Sequence, residues 1–214
     1  MIELVIGLFF LVVVGLIFIA KNREPLFVDK DREESKQHSE AYQRTEMNIP
    51  DQCEKVLSTQ HIREIEKLPS VIVENIIDGD TVDIVCNEVR ERIRLDAIDC
   101  PEDGQEWGHI ATMGLIRLIG GRKTVKLERH GTDIYGRTIG TLFIYVPEKK
   151  SWLNVNERMV TLGHAWVVPS FCSHLPTKRK KRLLDLGSWA KSKKIGLWKE
   201  ENPVPPWRWR KECR

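Results

Sequence analysis

Between Ser70 and Ile98 the chain reads SVIVENII-DGD-TVDIVC-NE-VRERIRLDAI. Three β-rich runs are separated by turn-length gaps, and such spacing leaves room only for antiparallel neighbours. In the third run Ile93, Leu95 and Ala97 share one parity, while Arg92, Arg94 and Asp96 share the other. Successive side chains of a strand face opposite ways, so one face enters a core and the other carries charge. The alternation breaks at Ala97-Ile98, and the strand is expected to bend or end there.

The remainder supplies partners for this meander. Gly108 to Gly120 reads as a helix, with Ile110, Met113 and Ile116 as its apolar stripe. KTVKLERH and RTIGTLFIYV read as two more strands, and Asn154–Leu162 and Thr177–Lys194 as helices. In the last helix Leu183, Leu186 and Ala190 share a face. Three strands, a helix, two strands and two helices predict an α+β fold, a five-stranded OB-type barrel with three packed helices.

Upstream the composition changes. Leu4 to Ala20 is seventeen residues without a charge, near the lower limit for a membrane-spanning helix. No Lys or Arg precedes it and IFIAKN is a poor cleavage site, so residues 1–20 are expected to be a single uncleaved transmembrane anchor rather than a signal peptide. Residues 21–69 read as a charged linker. A short helix is expected over Asp51–Leu68, capped by Asp51 and ended by Pro69. Residues 70–214 form the globular domain. The first 69 residues carry nine Lys/Arg against twelve Asp/Glu, and the rest carries twenty-five against nineteen. The basic domain therefore suits an anionic partner, nucleic acid or a membrane surface.

Eight carboxylates fall between Asp78 and Glu102. Asp80 follows Gly79 in the first turn, and Asp99 and Glu102 flank Cys100-Pro101 just past strand three. A meander brings strand three back towards the opening of strand two, where Asp80 and Asp99 can meet. Two such carboxylates repel unless a cation joins them, and oxygen ligands suit a hard dication such as Ca²⁺ or Mg²⁺. Arg94 lies on the charged face of strand three, and Arg137 lies in the DIYGR turn. Guanidinium groups bind phosphate in a fixed fork. Metal, carboxylate and arginine together are the parts of phosphodiester hydrolysis. The competing reading is a strand-turn surface with ordinary charges.

The set IIDGDTVDI, RIRLDAIDCPE and DIYGRTIGTLFIY resembles the staphylococcal nuclease (thermonuclease) family, over about Val71 to Trp198. The resemblance implies the same five-stranded barrel with three helices. It implies that Asp80 and Asp99 ligate Ca²⁺ by side chain and Cys100 by its backbone carbonyl. Glu102 would activate or position the attacking water, Arg94 and Arg137 would clamp the scissile phosphate, and Tyr135 would contact a terminal phosphate. Cys100 stands where the family's prototype has threonine, which a carbonyl ligand tolerates. Ile134 stands where it has lysine, so one phosphate contact is lost. The base-stacking tyrosines of the prototype have no evident counterpart.

The expected function is a membrane-anchored, calcium-dependent endonuclease acting on DNA and RNA. The alternative is a non-catalytic OB-fold module that binds nucleic acid at a membrane. Lys21 and Arg23 place the domain in the cytoplasm by the positive-inside rule. A non-specific nuclease needing calcium points instead to the extracytoplasmic side, which is the preferred expectation. Other features are assigned bland roles. KRKKR (residues 178–182) is a solvated helix face, and the tail NPVPPWRWRKECR straps a hydrophobic edge, with base stacking as its other reading. Cys100 is structural. Cys172 and His174 are a weak metal signal, and His109, His130 and His164 show no pairing pattern.

Overall fold

The structure is a computed structural model that describes residues 58–120 and 124–212. The expected anchor and most of the expected linker lie outside the described residues. No helix among the described residues is long and apolar enough to cross a membrane.

The meander forms as expected. Strands β1 (Ser70–Ile76), β2 (Thr81–Cys86) and β3 (Val89–Leu95) are antiparallel neighbours. The β2–β3 turn is Asn87-Glu88, and both residues have positive φ (48° and 68°). That is the two-residue geometry whose twist matches the flanking strands. Val82, Ile84, Ile93 and Leu95 are buried on the inner face. On the outer face Arg92 stands opposite Asp83 and binds it through two hydrogen bonds of 2.7 and 3.0 Å.

Two further strands close the barrel, β5 (Thr124–Thr132) and β6 (Thr138–Val146). Strand β5 pairs with β1 and with β6, and β6 returns to pair in parallel with β3, placing Ile139 opposite Arg94 and Gly140 opposite Leu95. The five-stranded barrel of the sequence reading is therefore closed. Three short strands were not expected. β4 (Ile98–Asp99) pairs with β8 (Trp166–Val167), and β7 (Ser151–Asn154) extends the sheet beyond β6. The break between β3 and β4 is sharp because Ala97 adopts φ +63°.

Five α-helices surround the barrel among the described residues: α1 (Thr59–Lys67), α2 (Gly108–Ile119), α3 (Val155–Thr161), α4 (Thr177–Ser192) and α5 (Pro206–Glu212). Helix α1 is capped by Ser58, whose side chain accepts from the His61 N–H, and the expected Asp51 cap lies outside the described residues. Helix α4 buries Leu183, Leu186 and Ala190, the face read from the sequence. Helix α2 does not follow its predicted stripe. It buries Ala111, Gly114, Leu115, Leu118 and Ile119, and Ile116 is exposed. Apolar residues occur nearly all round this helix, so periodicity could not choose a face. The small residues decided it, because they let the helix approach closely. A Cβ on Gly108 would meet the Glu102 carbonyl oxygen at 1.9 Å.

Asn156 of α3 is the principal polar tie of the interior. Its amide donates to the carbonyls of Asp96 (3.1 Å) and Gly140 (3.2 Å), and its oxygen accepts from the Leu142 N–H at 3.2 Å. A buried amide satisfied on three sides fixes α3, β6 and the end of β3 in one register.

Candidate active site

The site begins in the β1–β2 turn. Asp78 accepts a hydrogen bond from the Asp80 N–H at 2.9 Å, which shapes the turn. A Cβ on Gly79 would lie 2.9 Å from those of Cys100 and Ala111, so only glycine lets the turn press against the Cys100 segment. Asp80 is thereby buried, and its Oδ2 accepts from the Cys100 N–H at 2.7 Å.

The β3–β4 break delivers the second carboxylate. Asp99 is buried, and Arg94 joins it to Asp80: Nη2 lies 2.6 Å from Asp99 Oδ1 and 3.2 Å from Asp80 Oδ2. The other end of that guanidinium, Nη1, donates to the carbonyls of Leu95 (3.0 Å) and Ile98 (2.9 Å). The expected meeting of Asp80 and Asp99 therefore occurs, with Arg94 between them. Burial pushes the Asp80 carboxyl up to about 7; Arg94 opposes that rise, and Asp78 and Asp99 add to it. Burial likewise pushes the Cys100 thiol well above its ordinary value, leaving a protonated, unreactive thiol.

Glu102 is half-exposed at the mouth of this cluster. Its backbone N–H donates to Gln105 Oε1 at 3.0 Å. Its carboxylate binds Arg210 of α5, a partner the sequence reading did not assign. Arg210 also reaches Asp99, with Nη2 2.8 Å from Oδ2. The tail that carries Arg210 is held twice. Gln105 Nε2 donates to the Val204 carbonyl at 2.6 Å, and Trp207 packs edge-on against Trp166 at 5.6 Å between ring centroids. The tail does strap an apolar edge, and it also sets a guanidinium on two of the three site carboxylates. The alternation of Trp and Arg in WRWR was the available signal, but the position of the helix was not in it.

Arg137 and Tyr135 belong to the β5–β6 turn. Asp133 organises that turn: its Oδ1 accepts from the N–H groups of Tyr135 and Arg137, both at 2.9 Å, and its Oδ2 from Arg137 Nε at 2.7 Å. Tyr135 is largely exposed, and the Arg137 guanidinium lies 5.4 Å from its ring centroid. The parallel β3–β6 pairing sets this turn beside the strand that bears Arg94. The hydrogen bonds described for Arg137 run to Asp133 rather than to the carboxylate cluster. Of the aromatic residues after α3, Trp166 is partly buried against Trp198 and Trp207, while Phe171 is exposed.

The family model described as "Staphylococcal nuclease homologue" matches residues 92–200, which include Arg94, Asp99, Glu102 and Arg137. The chain belongs to the staphylococcal nuclease family. It is 36% identical over 146 residues to "Protein ParB" of Escherichia coli, covering 65% of this chain and 78% of that protein. It is 36% identical over 140 residues to an "Uncharacterized endonuclease" of Escherichia coli O157:H7, covering 64% and 82%. It is 34% identical over 145 residues to "Micrococcal nuclease" of Shigella flexneri, covering 66% and 80%. Family and relatives support a phosphodiesterase-type nuclease, a hydrolase, over a non-catalytic binding module. In this nuclease, three buried or half-buried carboxylates and two guanidinium groups come together within one mouth of the barrel.

Proposed function

We propose that this nuclease hydrolyses phosphodiester bonds of DNA and RNA with Ca²⁺ as its cofactor. The observation that carries the reading is the convergence of Asp80, Asp99 and Glu102 around Arg94 and Arg210. The donor set fits the cation. Asp80, Asp99 and the Cys100 carbonyl offer oxygen alone, as a hard dication prefers. When bound, Ca²⁺ supplies positive charge to the phosphate and acidifies water.

The chain's own residues do the rest. Glu102 is the carboxylate with access to solvent, and it takes the proton from the attacking water as that oxygen bonds to phosphorus. One P–O ester bond breaks and its oxygen leaves with a proton from solvent. Arg137, on an exposed turn ordered by Asp133, binds the non-bridging phosphate oxygens, where negative charge builds up. Arg94 holds Asp80 and Asp99 in register, and would offer donors to the phosphate if a bound dication took over those carboxylates. Tyr135, next to Arg137 and exposed, contacts a terminal phosphate. Arg210 spans Asp99 and Glu102, and brings a third guanidinium to the phosphate.

Residues 1–20 would anchor the protein in a membrane through a single helix, with the domain on the extracytoplasmic side. The full-length chain incubated with plasmid DNA and with RNA tests the chemistry. Degradation that requires Ca²⁺, and collapses in Glu102→Ala and Arg137→Ala, supports the proposal. Activity that survives excess chelator removes the cofactor assignment. Thiol labelling of Cys86 on intact cells tests the topology, and labelling only after lysis overturns it.

A further inference from the structure

Behind the nuclease site a second cluster gathers three residues from distant parts of the chain. Asp96 follows β3 and is buried, His130 lies on β5, and His174 lies in the segment leading into α4. One ligand-capable atom from each lies within 4.8 Å of the other two. His174 Nε2 is 2.9 Å from Asp96 Oδ2, and His130 Nε2 is 3.8 Å from that same oxygen. The imidazole centroids are 5.3 Å apart with the rings inclined at 45°. We infer that Asp96, His130 and His174 form a binding site for a transition-metal dication of the zinc class, separate from the calcium site.

The chemistry favours that occupant. Two imidazole nitrogens with one carboxylate oxygen are a borderline donor set, which selects zinc-class ions over Ca²⁺. Ligand atoms about 2.0–2.2 Å from a tetrahedral Zn²⁺ stand roughly 3.4 Å apart. The separations of 2.9 and 3.8 Å lie on either side of that value, and all three ligand atoms lie within 4.8 Å of one another, so modest side-chain rotation completes the site. A proton serves the cluster less well. It joins His174 to Asp96, but at 3.8 Å it leaves His130 outside hydrogen-bond reach of that carboxylate. The His130 side chain is only 11% exposed, and burial holds its ring below the ordinary histidine pKa, in the neutral form that ligates metal.

The surroundings are nearly balanced. Glu128 Oε2 lies 3.9 Å from His130 Nε2 and is paired at 2.7 Å with Arg179, which also donates to Thr141 Oγ1. Thr141 Oγ1 is in turn 3.0 Å from His130 Nε2. Glu128 and Arg179 offset each other, leaving Asp96 as the net charge the cation meets. Three protein ligands leave a fourth position for water, and the His174 side chain is 38% exposed. Cys172 does not join: its Sγ donates to the Val168 carbonyl at 3.3 Å. A metal here would clamp the segment before α4 to the end of β3, three residues from Asp99. The inference does not depend on the nuclease reading, because its ligands are other residues.

The test uses the full-length chain, stripped with chelator, reloaded with Zn²⁺ and assayed for metal per chain and for unfolding midpoint. Co²⁺ replaces Zn²⁺ for visible spectroscopy. The wild type and Asp99→Asn are expected to hold one Zn²⁺ per chain, to show tetrahedral Co²⁺ bands, and to gain thermal stability with metal. His174→Ala is expected to lose affinity by roughly 100-fold or more, a ligand being worth at least as much as the partners that orient one. Its metal-free unfolding midpoint should fall, because buried Asp96 loses its 2.9 Å partner, so the readout that decides is the gain in midpoint on adding Zn²⁺, which should vanish. Absence of stoichiometric Zn²⁺ in the wild type overturns the inference. So does full retention in His174→Ala, or loss in Asp99→Asn.

Discussion

Two polar clusters are built on one six-residue stretch, Arg94 to Asp99, and they differ in almost every other respect. The Asp80–Asp99–Glu102 cluster is oxygen-rich, crossed by two guanidinium groups and open at Glu102. The Asp96 cluster is nitrogen-rich, and two imidazoles face a single carboxylate oxygen. The left-handed turn at Ala97 separates them by sending Asp99 into a new short strand beside β8. Neighbouring carboxylates can thus serve different chemistries when the backbone between them reverses its direction.

The largest expected effect falls on the nuclease side, in the first cluster and the β5–β6 turn beside it. Glu102→Ala and Arg137→Ala should each lower the rate of nucleic-acid hydrolysis by roughly 10²–10⁴-fold, the range for removing a general base or a charge-stabilising donor. Unfolding midpoints should change little, since both side chains are partly exposed. A loss under tenfold in either variant would break the assignment of catalysis to this side.

Next is a histidine in neither cluster. His164 is buried, and burial, with Arg117 and Arg158 nearby, holds its ring down at about 4. The unfolded ring binds its proton from about pH 6.5 downwards. Between about pH 6.5 and 4 the unfolded state therefore binds more protons, and stability falls as pH falls. The full shift corresponds to about 3 kcal/mol. Urea unfolding of the wild type and His164→Gln at pH 7 and 4.5 checks this. If both lose the same stability, His164 is not the acid-sensitive group.

Arg210 sharpens the comparison within the first cluster. Arg210→Ala should slow hydrolysis roughly 100-fold, the lower end for loss of one charge-stabilising donor. The same variant should lower the Ca²⁺ concentration needed for half-maximal activity, because it removes positive charge beside Asp99. A calcium titration of rate reads both, and a faster enzyme would make Arg210 an occluding group instead.

The smallest effect concerns the meander that supports both clusters. Glu88 holds φ +68° in the β2–β3 turn, a conformation glycine adopts without strain. Glu88→Gly should stabilise the fold by about 0.5–1 kcal/mol in equilibrium unfolding, with hydrolysis and Zn²⁺ binding unchanged. A destabilised variant would show that Glu88 contributes a contact larger than its backbone cost.

The sequence by itself determined the meander and the barrel class, and it placed the acidic half of the first cluster within one short interval. Strand alternation is local, so the parity of Ile93 and Leu95 against Arg92 and Arg94 fixed which face is buried. Asp80, Arg94, Asp99 and Glu102 fall within twenty-three residues, and a single meander suffices to bring them together. Tertiary structure alone decided what depends on contacts between distant segments. It turned α2 onto Ala111, Gly114 and Leu115, because close approach depends on the opposing surface and not on periodicity. It set Arg210 on Asp99 and Glu102 across more than a hundred residues. It joined Asp96 to His130 and His174, residues with no common spacing, because the β5 register and the path into α4 place them at one point. Local chemistry is written in short intervals of sequence, whereas a site assembled from three segments exists only once the barrel has closed.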